Sequence, residues 1–278
     1  AKEDILANLK EKAIVVAYDL SPSDTATMHK TNVIGFATDI GGRTSHTAIM
    51  AKSLEIPAVV GIEVLTKKVE SGDTIIVDGT HGTVVINPLP KTLKKYEHDK
   101  ERFVELEKNL AELKNLPCVT TDGRKIELAA NIEVPDDVTS VIAHGAEAIG
   151  LYRTEYLYMS RKDLPVEEEQ FKAYSVIAKR MSPKTVVIRT LDLGGDKFLS
   201  QLDVPQQMNP FLGWRAIRFC LARPDIFKAQ LRAILRASAH GKLRVMYPMI
   251  SGLEELRQAN GMLEEVKKEL KKDSVPFD

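Results

Sequence analysis

From Cys118 to Asp278 the sequence repeats one pattern four times: a short apolar run, a turn, then a helical stretch. The runs are Lys125–Ala130, Ala148–Tyr152, Thr185–Arg189 and Leu243–Tyr247. The helices predicted after them span Pro135–Ala143, Val166–Arg180, Pro210–Ala222 together with Pro224–Ala239, and Leu253–Leu270. A strand followed by a crossover helix returns the chain to the same end of the sheet, so successive strands run parallel. A regular series of such units is what a barrel of alternating strands and helices produces. A closed one needs eight units and about 250 residues. Four units supply only half of such a (β/α)8 TIM-type barrel.

Residues 1–90 alternate on a smaller scale. Ala13–Ala17, Val33–Ala37 and Ala58–Val60 read as short strands, and Ser21–Asp24 as a turn opening a helix through Met28. A helix is predicted from Thr44 to Leu54, stopped by Pro57, and Thr74–Asp78 with Thr83–Ile86 reads as a hairpin that places His81 in its turn. Asn87–Pro90 then sets two prolines in four residues. Beyond them, Lys91–Leu116 carries Tyr96, Phe103 and Leu110 at seven-residue intervals, with Leu106 and Leu113 on the same stripe and charges elsewhere. That is one long amphipathic helix between two proline-marked breaks, the pattern of an interdomain connector. The predicted class is α/β, in three parts: a domain over 1–90, a linker helix over 91–117, and the half-barrel over 118–278.

Charge narrows the partners. The 39 Lys and Arg residues balance 39 Asp and Glu, with a pI near 7.2, which argues against nucleic acid or an anionic membrane. No apolar run reaches the length of a membrane span, and the mixed-charge N-terminus is not that of a signal peptide. Cys118 and Cys220 lie far apart without metal-type spacing, which reads as a pair of reduced core thiols in a cytoplasmic protein.

The most informative segment runs from Gly41 to Met50, GGRTSHTAIM. Gly41 and Gly42 make a flexible turn, Thr44 or Ser45 can cap the helix, and His46 falls in its first turn. Backbone N–H groups there lack intrahelical partners and the helix dipole favours negative charge. A phosphate carried on His46 would meet those donors, with Arg43 close in sequence. Imidazole is also a nucleophile that is largely neutral near physiological pH. The plainer alternative is a surface histidine near a helix start, and spacing alone leaves both open.

Continued to Gly61, the segment GGRTSHTAIMAKSLEIPAVVG resembles the phosphohistidine signature of the PEP-utilising enzymes. Within them it is most similar to the enzyme I branch of the bacterial PEP:sugar phosphotransferase system, because Thr47 follows the histidine where the dikinase and PEP synthase branches usually have Ala. The resemblance continues through GLYRTE at Gly150–Glu155, IRTLDLGGDK at Ile188–Lys197 and NPFLGWRAIR at Asn209–Arg218. It implies a swivelling phosphohistidine domain joined by the linker helix to a phosphoenolpyruvate-binding barrel. It implies that His46 takes a phosphoryl group from phosphoenolpyruvate and passes it to the phosphocarrier protein HPr, the first step of sugar uptake. It further implies that Thr25 lies beside the active histidine, that Mg²⁺ serves as cofactor, and that the whole protein is a homodimer.

The arginines fit that reading from the residues themselves. Arg153 and Arg189 each end a predicted strand, and in β/α barrels that rim carries the active site. A guanidinium there offers a planar fork for phosphate or carboxylate. Arg215, at a predicted helix start, could face the same rim. The structural alternative is that some of these arginines make ion pairs with Glu155, Asp192 or Asp196. No metal site is assigned in this chain: the family's magnesium-binding carboxylates and its cysteine proton donor lie on later barrel strands, beyond Asp278. The helical subdomain that receives HPr is likewise not found ahead of Ala1, and the absent initiator Met and abrupt end read as cut edges. A pyruvate,phosphate dikinase or PEP synthase type of enzyme, or an inactive phosphoacceptor fragment without metal and HPr sites, remain the alternatives.

Overall fold

The computed structural model describes residues 9, 11–20, 32–42, 45–159, 163–193 and 213–278. They fall into two compact units, 1–113 and 114–278. In the first, β1 (Ala13–Ala17), β2 (Val33–Thr38) and β3 (Ala58–Val60) form a parallel sheet in that order. Every residue of the central strand except Ile34 is buried, as a strand flanked on both edges requires. Phe36 joins Leu20, Val33 and Ala51 in a small apolar core. A Cβ on Gly35 would lie 3.0 Å from the carbonyl oxygen of Pro57, so glycine allows the close approach of β2 to the residue that leads into β3.

Helix α1 (His46–Leu54) connects β2 to β3 and ends where Glu55 turns left-handed. Strands β4 (Ile75–Asp78) and β5 (Thr83–Ile86) pair antiparallel as the predicted hairpin, and Asp78 accepts the backbone N–H groups of Thr80 and His81 in its turn. Helix α2 (Pro90–Leu113) stops three residues short of the predicted Leu116, since Pro117 disfavours helical backbone at the residue before it. Of its predicted stripe, Phe103, Leu106, Leu110 and Leu113 are more than half exposed, while Tyr96 is half-buried.

The second unit is built on four parallel strands in sequential order: β6 (Ala129–Ile132), β7 (Ala148–Arg153), β8 (Val186–Arg189) and β9 (Leu243–Met246). Helix α3 (Val138–Ala143), preceded by a 3-10 turn at Pro135–Asp137, follows β6. The short α4 (Tyr156–Met159) and α5 (Glu167–Met181) follow β7. After β8 come α6 (Ala216–Ala222) and α7 (Pro224–Ser238), and α8 (Leu253–Lys272) follows β9. Ile149, Tyr152, Val186 and Ile188 point from the sheet into a core shared with Tyr174, Ile177 and Met181 of α5 and with Ala233 and Ile234 of α7. A second core joins α6, α7 and α8 through Phe219, Phe227, Leu231 and Val266.

Two predicted elements move. The first strand of this unit is expected at Lys125–Ala130 but forms four residues later. Residues 118–126 fold back locally instead, with Val119 bridged to Lys125 and a turn through Gly123 at φ +86°. That local pairing commits the Ile126 N–H to the Cys118 carbonyl rather than to the sheet. The helix expected from Pro210 begins at Ala216 among the described residues, because Arg215 is extended; Pro210 lies outside them. The expected helix through Met28 is also outside the described residues.

Between α7 and β9, a Cβ on Gly241 would lie 2.5 Å from the backbone oxygen of Ala178. The Gly241→Ala variant should lose about 1–3 kcal/mol of stability by forcing α5 and the turn apart. A urea melt read by circular dichroism checks this; an unchanged midpoint would show that the turn yields freely.

Candidate active site

The first unit presents its histidine loop at the C-terminal end of β2. Ser45 caps α1 with its hydroxyl on the N–H of Ala48 at 3.3 Å, so His46 is the first helical residue. The turn before it is closed by the Ser45 N–H on the Gly42 carbonyl at 2.9 Å. Gly41, at φ +124°, packs on Val60, and Gly61, at φ +80°, lies so close that a Cβ there would meet the Gly41 carbonyl at 2.9 Å. A side chain at either glycine would push the loop off the end of β3. Thr47 is buried and donates to the carbonyl of Leu20 at 3.3 Å, which ties the helix start to the chain after β1.

Asp39, which the sequence reading passed over, holds this corner together. It is 2% exposed. Its Oδ1 accepts the N–H of Leu65 at 2.6 Å and of Thr66 at 3.2 Å, and its Oδ2 accepts the Thr66 hydroxyl. The Asp39 carbonyl takes the Glu63 N–H at 2.8 Å. One side chain thus anchors the segment that places Gly61 against Gly41. The Thr66 hydroxyl and the amides of Thr66 and Leu65 hold its carboxyl below the usual aspartate range. An acid two residues before a double glycine is the signal that could have found it.

In the second unit the register sets Arg153 directly beside Arg189 at the ends of β7 and β8. Both guanidinium groups are ion-paired. Arg153 Nη1 meets Glu133 Oε1 at 2.5 Å. Arg189 lies 3.0 Å from Glu155 Oε1 through Nη2 and 3.0 Å from Asp192 Oδ2 through Nη1. Arg215 reaches the other oxygen of Asp192 at 3.4 Å. Its backbone is drawn in through the next residue: Ala216, at φ +51°, donates its N–H to the Leu193 carbonyl at 3.0 Å. Arg189 and Arg215 therefore converge on one carboxylate, while Arg153 stands in register beside them. Glu155 Oε2 and Arg189 Nε are buried with no hydrogen-bond partner among the described residues. Such orphans mark where water or a ligand completes a polar site.

Of the remaining candidates, Thr25, Arg43, Thr44 and Asp196 lie outside the described residues, as does the side chain of His46. Both cysteines are free, but only Cys220 is a core thiol, fully buried and pushed up to about 12 by desolvation; Cys118, beside the local fold-back, is half-buried. No helix among the described residues is long and apolar enough to cross a membrane. Nor do three or more His, Cys, Asp or Glu residues among them cluster as a metal site would require. Glu155 and Asp192 are each paired to an arginine, and no third such side chain joins them among the described residues.

A family model described as PEP-utilising enzyme, PEP-binding domain, matches residues 107–278, and one described as PEP-utilising enzyme, mobile domain, matches residues 9–82. The phosphoenolpyruvate-protein phosphotransferase of Staphylococcus carnosus (strain TM300) is 54% identical over 263 residues, covering 95% of this chain and 46% of that protein. The protein of the same name from Geobacillus stearothermophilus is 54% identical over 267 residues, covering 96% of this chain and 46% of its own. The one from Bacillus subtilis (strain 168) is 53% identical over 264 residues, with coverage of 95% and 46%. The chain spans about half the length of these relatives. A solution structure of an enzyme I protein shares 59% identity, covering 35% of this chain and 40% of its own. Its TM-score of 0.33 is too low to bear on the fold.

A carboxyl with a depressed folded pKa stabilises above its unfolded value, here 3.8, and that stabilisation is lost as pH falls through the folded value. The Asp39 carboxyl should therefore titrate below 3.8 by NMR, and Asp39→Asn should make the first unit less acid-sensitive. A midpoint at or above 3.8 would contradict the anchoring role.

Proposed function

Because the chain belongs to the PEP-utilising enzymes, the family whose model matches residues 107–278, we propose that it carries the acceptor histidine and part of the donor site of a phosphoenolpyruvate-protein phosphotransferase. The observation that carries this reading is the convergence of Arg189 and Arg215 on Asp192, with Arg153 in register beside them at the strand ends. Phosphoenolpyruvate bears a phosphate and a carboxylate, and planar guanidinium forks suit both. In this reading residues 1–90 are the swivelling phosphohistidine domain, 91–117 the linker helix and 118–278 the first half of a TIM-type barrel.

The chemistry is phosphoryl transfer, in which positioning and charge stabilisation do most of the work. The ligand takes arginine forks away from Glu155 and Asp192. The neutral imidazole of His46 attacks phosphorus in line, forming the N–P bond as the P–O bond to the enolate breaks. The enolate takes a proton to become pyruvate. The phosphohistidine then passes its phosphoryl group to HPr. Backbone donors at the start of α1 and the Gly41–Gly42 turn support the phosphate on His46, with Arg43, Thr44 and Ser45 beside it and Thr25 orienting the ring. Magnesium has no ligand set among the described residues.

Acceptor and donor residues lie in different units, so transfer needs a pivot. The proposed hinge is Asn87–Lys91, at the start of α2; Asn87, at φ +45°, is bonded to Thr74 and Asp73. The relatives carry the name phosphotransferase rather than dikinase, which favours this reading over ATP-dependent chemistry.

Incubation with phosphoenolpyruvate and Mg²⁺, followed by intact mass, tests the acceptor. The expected result is one acid-labile phosphate, absent in His46→Ala. Arg189→Ala should weaken phosphoenolpyruvate binding by about 10- to 100-fold, the range for losing a charge-assisted bond of roughly 1.5–3 kcal/mol. Phosphate retained in His46→Ala, or binding unchanged in Arg189→Ala, would refute the respective assignment.

A further inference from the structure

We infer that Gln230 is a positioning residue for the arginine rim, acting through the backbone of two strand ends without touching the ligand. The inference rests on the donor-site reading above.

Gln230 sits on α7 and is 1% exposed. All of its amide is engaged. Oε1 accepts the N–H of Leu191 at 2.9 Å, and Nε2 donates to Thr154 Oγ1 at 3.1 Å and to Tyr174 Oη at 3.2 Å. Thr154 follows Arg153 and donates its own hydroxyl proton to the carbonyl of Arg189 at 3.0 Å. Leu191 stands between Arg189 and Asp192. One amide therefore fixes the two backbone segments that carry Arg153, Glu155, Arg189 and Asp192.

The direction of each bond restricts the residue. The proton of Thr154 is committed to Arg189, so toward Gln230 that hydroxyl can only accept. The proton of Tyr174 is committed to Gln170 Oε1 at 3.0 Å, so it too can only accept from Gln230. Gln170 is fixed in turn by the hydroxyl of Tyr158 at 3.2 Å and by its own bond to the Pro165 carbonyl at 3.2 Å. The position therefore needs two donors and one acceptor in a plane, which among uncharged side chains of this length only glutamine supplies. An apolar residue would fill the volume but leave the buried Leu191 N–H without its acceptor, so filling alone does not account for an amide here. What the amide adds is a fixed spacing between the ends of β7 and β8.

The test uses the chain's single tryptophan. Trp214 neighbours Arg215 and packs its ring 4.9 Å from that of Phe219, so its fluorescence reports on the rim. Phosphoenolpyruvate is titrated in magnesium buffer into the wild type, Gln230→Leu, Gln230→Glu and Arg189→Ala, and backbone amide exchange is followed by NMR. Gln230→Leu should raise the Kd about tenfold, and speed exchange of the Leu191 amide by a similar factor while Val186 and Ile188 stay protected. Gln230→Glu keeps the acceptor for Leu191 but lacks the paired donors. It should retain Leu191 protection and still lose affinity, and it carries the test if the leucine variant fails to fold. A folded Gln230 variant with wild-type Kd overturns the inference alone. So does protection lost evenly across the sheet, which is the mark of a merely structural role. No response in the wild type, or an Arg189→Ala that binds as tightly, overturns the donor-site reading and this inference with it.

Discussion

The parallel register between β7 and β8 is the constraint on which the candidate donor site depends. It pairs Tyr152 with Ile188 and Arg153 with Arg189. Because side chains alternate faces along a strand, the same register buries Tyr152 and Ile188 among the helices and sends both arginines the other way. A slip of one residue would expose the core pair and bury the guanidinium groups. Hydrophobic burial therefore sets the position of the charges: the apolar residues cannot leave the core, and the arginines follow from them. Gly150 permits the local irregularity in β7, since a Cβ there would meet Ala129 Cβ at 2.9 Å.

Buried polar side chains refine what the apolar core sets coarsely. In the first unit one carboxylate, Asp39, gathers three donors from the Leu65–Thr66 segment and so presses Gly61 onto Gly41. In the second, two glutamines and two tyrosines bind a threonine and a loop amide. A buried polar group left without partners costs about 1–3 kcal/mol, so each network is stable only when complete. That completeness gives directionality, which apolar packing lacks. Both networks lie directly behind the loops proposed to carry chemistry.

Periodicity made the fold legible. Runs such as Val186–Arg189 and the amphipathic α8 announce themselves, and the parallel direction of the strands follows from consecutive βα units. The strand expected at Lys125 was not legible, because its alternation suits the local fold-back to Val119 equally well. The histidine loop was readable because glycines and a capping serine have local roles. Asp39 and Gln230 were not: their partners lie 26 and 76 residues away in sequence, and only the folded sheet brings them near. The pairing of Arg189 and Arg215 with Asp192 could be named as an alternative from sequence, but its geometry comes only from the ends of β8 and α6.

Charge balance gives the rim its selectivity in the proposed reading. Three guanidinium groups, of Arg153, Arg189 and Arg215, stand against three carboxylates, of Glu133, Glu155 and Asp192. The cluster is formally neutral among the described residues, so it exerts little long-range pull on anions. An incoming anion must take a guanidinium from a carboxylate already in place, an exchange of like interactions with little net gain for a single charge. A monoanion therefore gains almost nothing. A ligand carrying a phosphate and a carboxylate on one rigid frame can claim two forks in one event, and the second engagement costs no further translational freedom. Self-pairing thus holds the arginines folded and oriented when no ligand is bound, and it favours the doubly anionic ligand over the many singly charged ions around it.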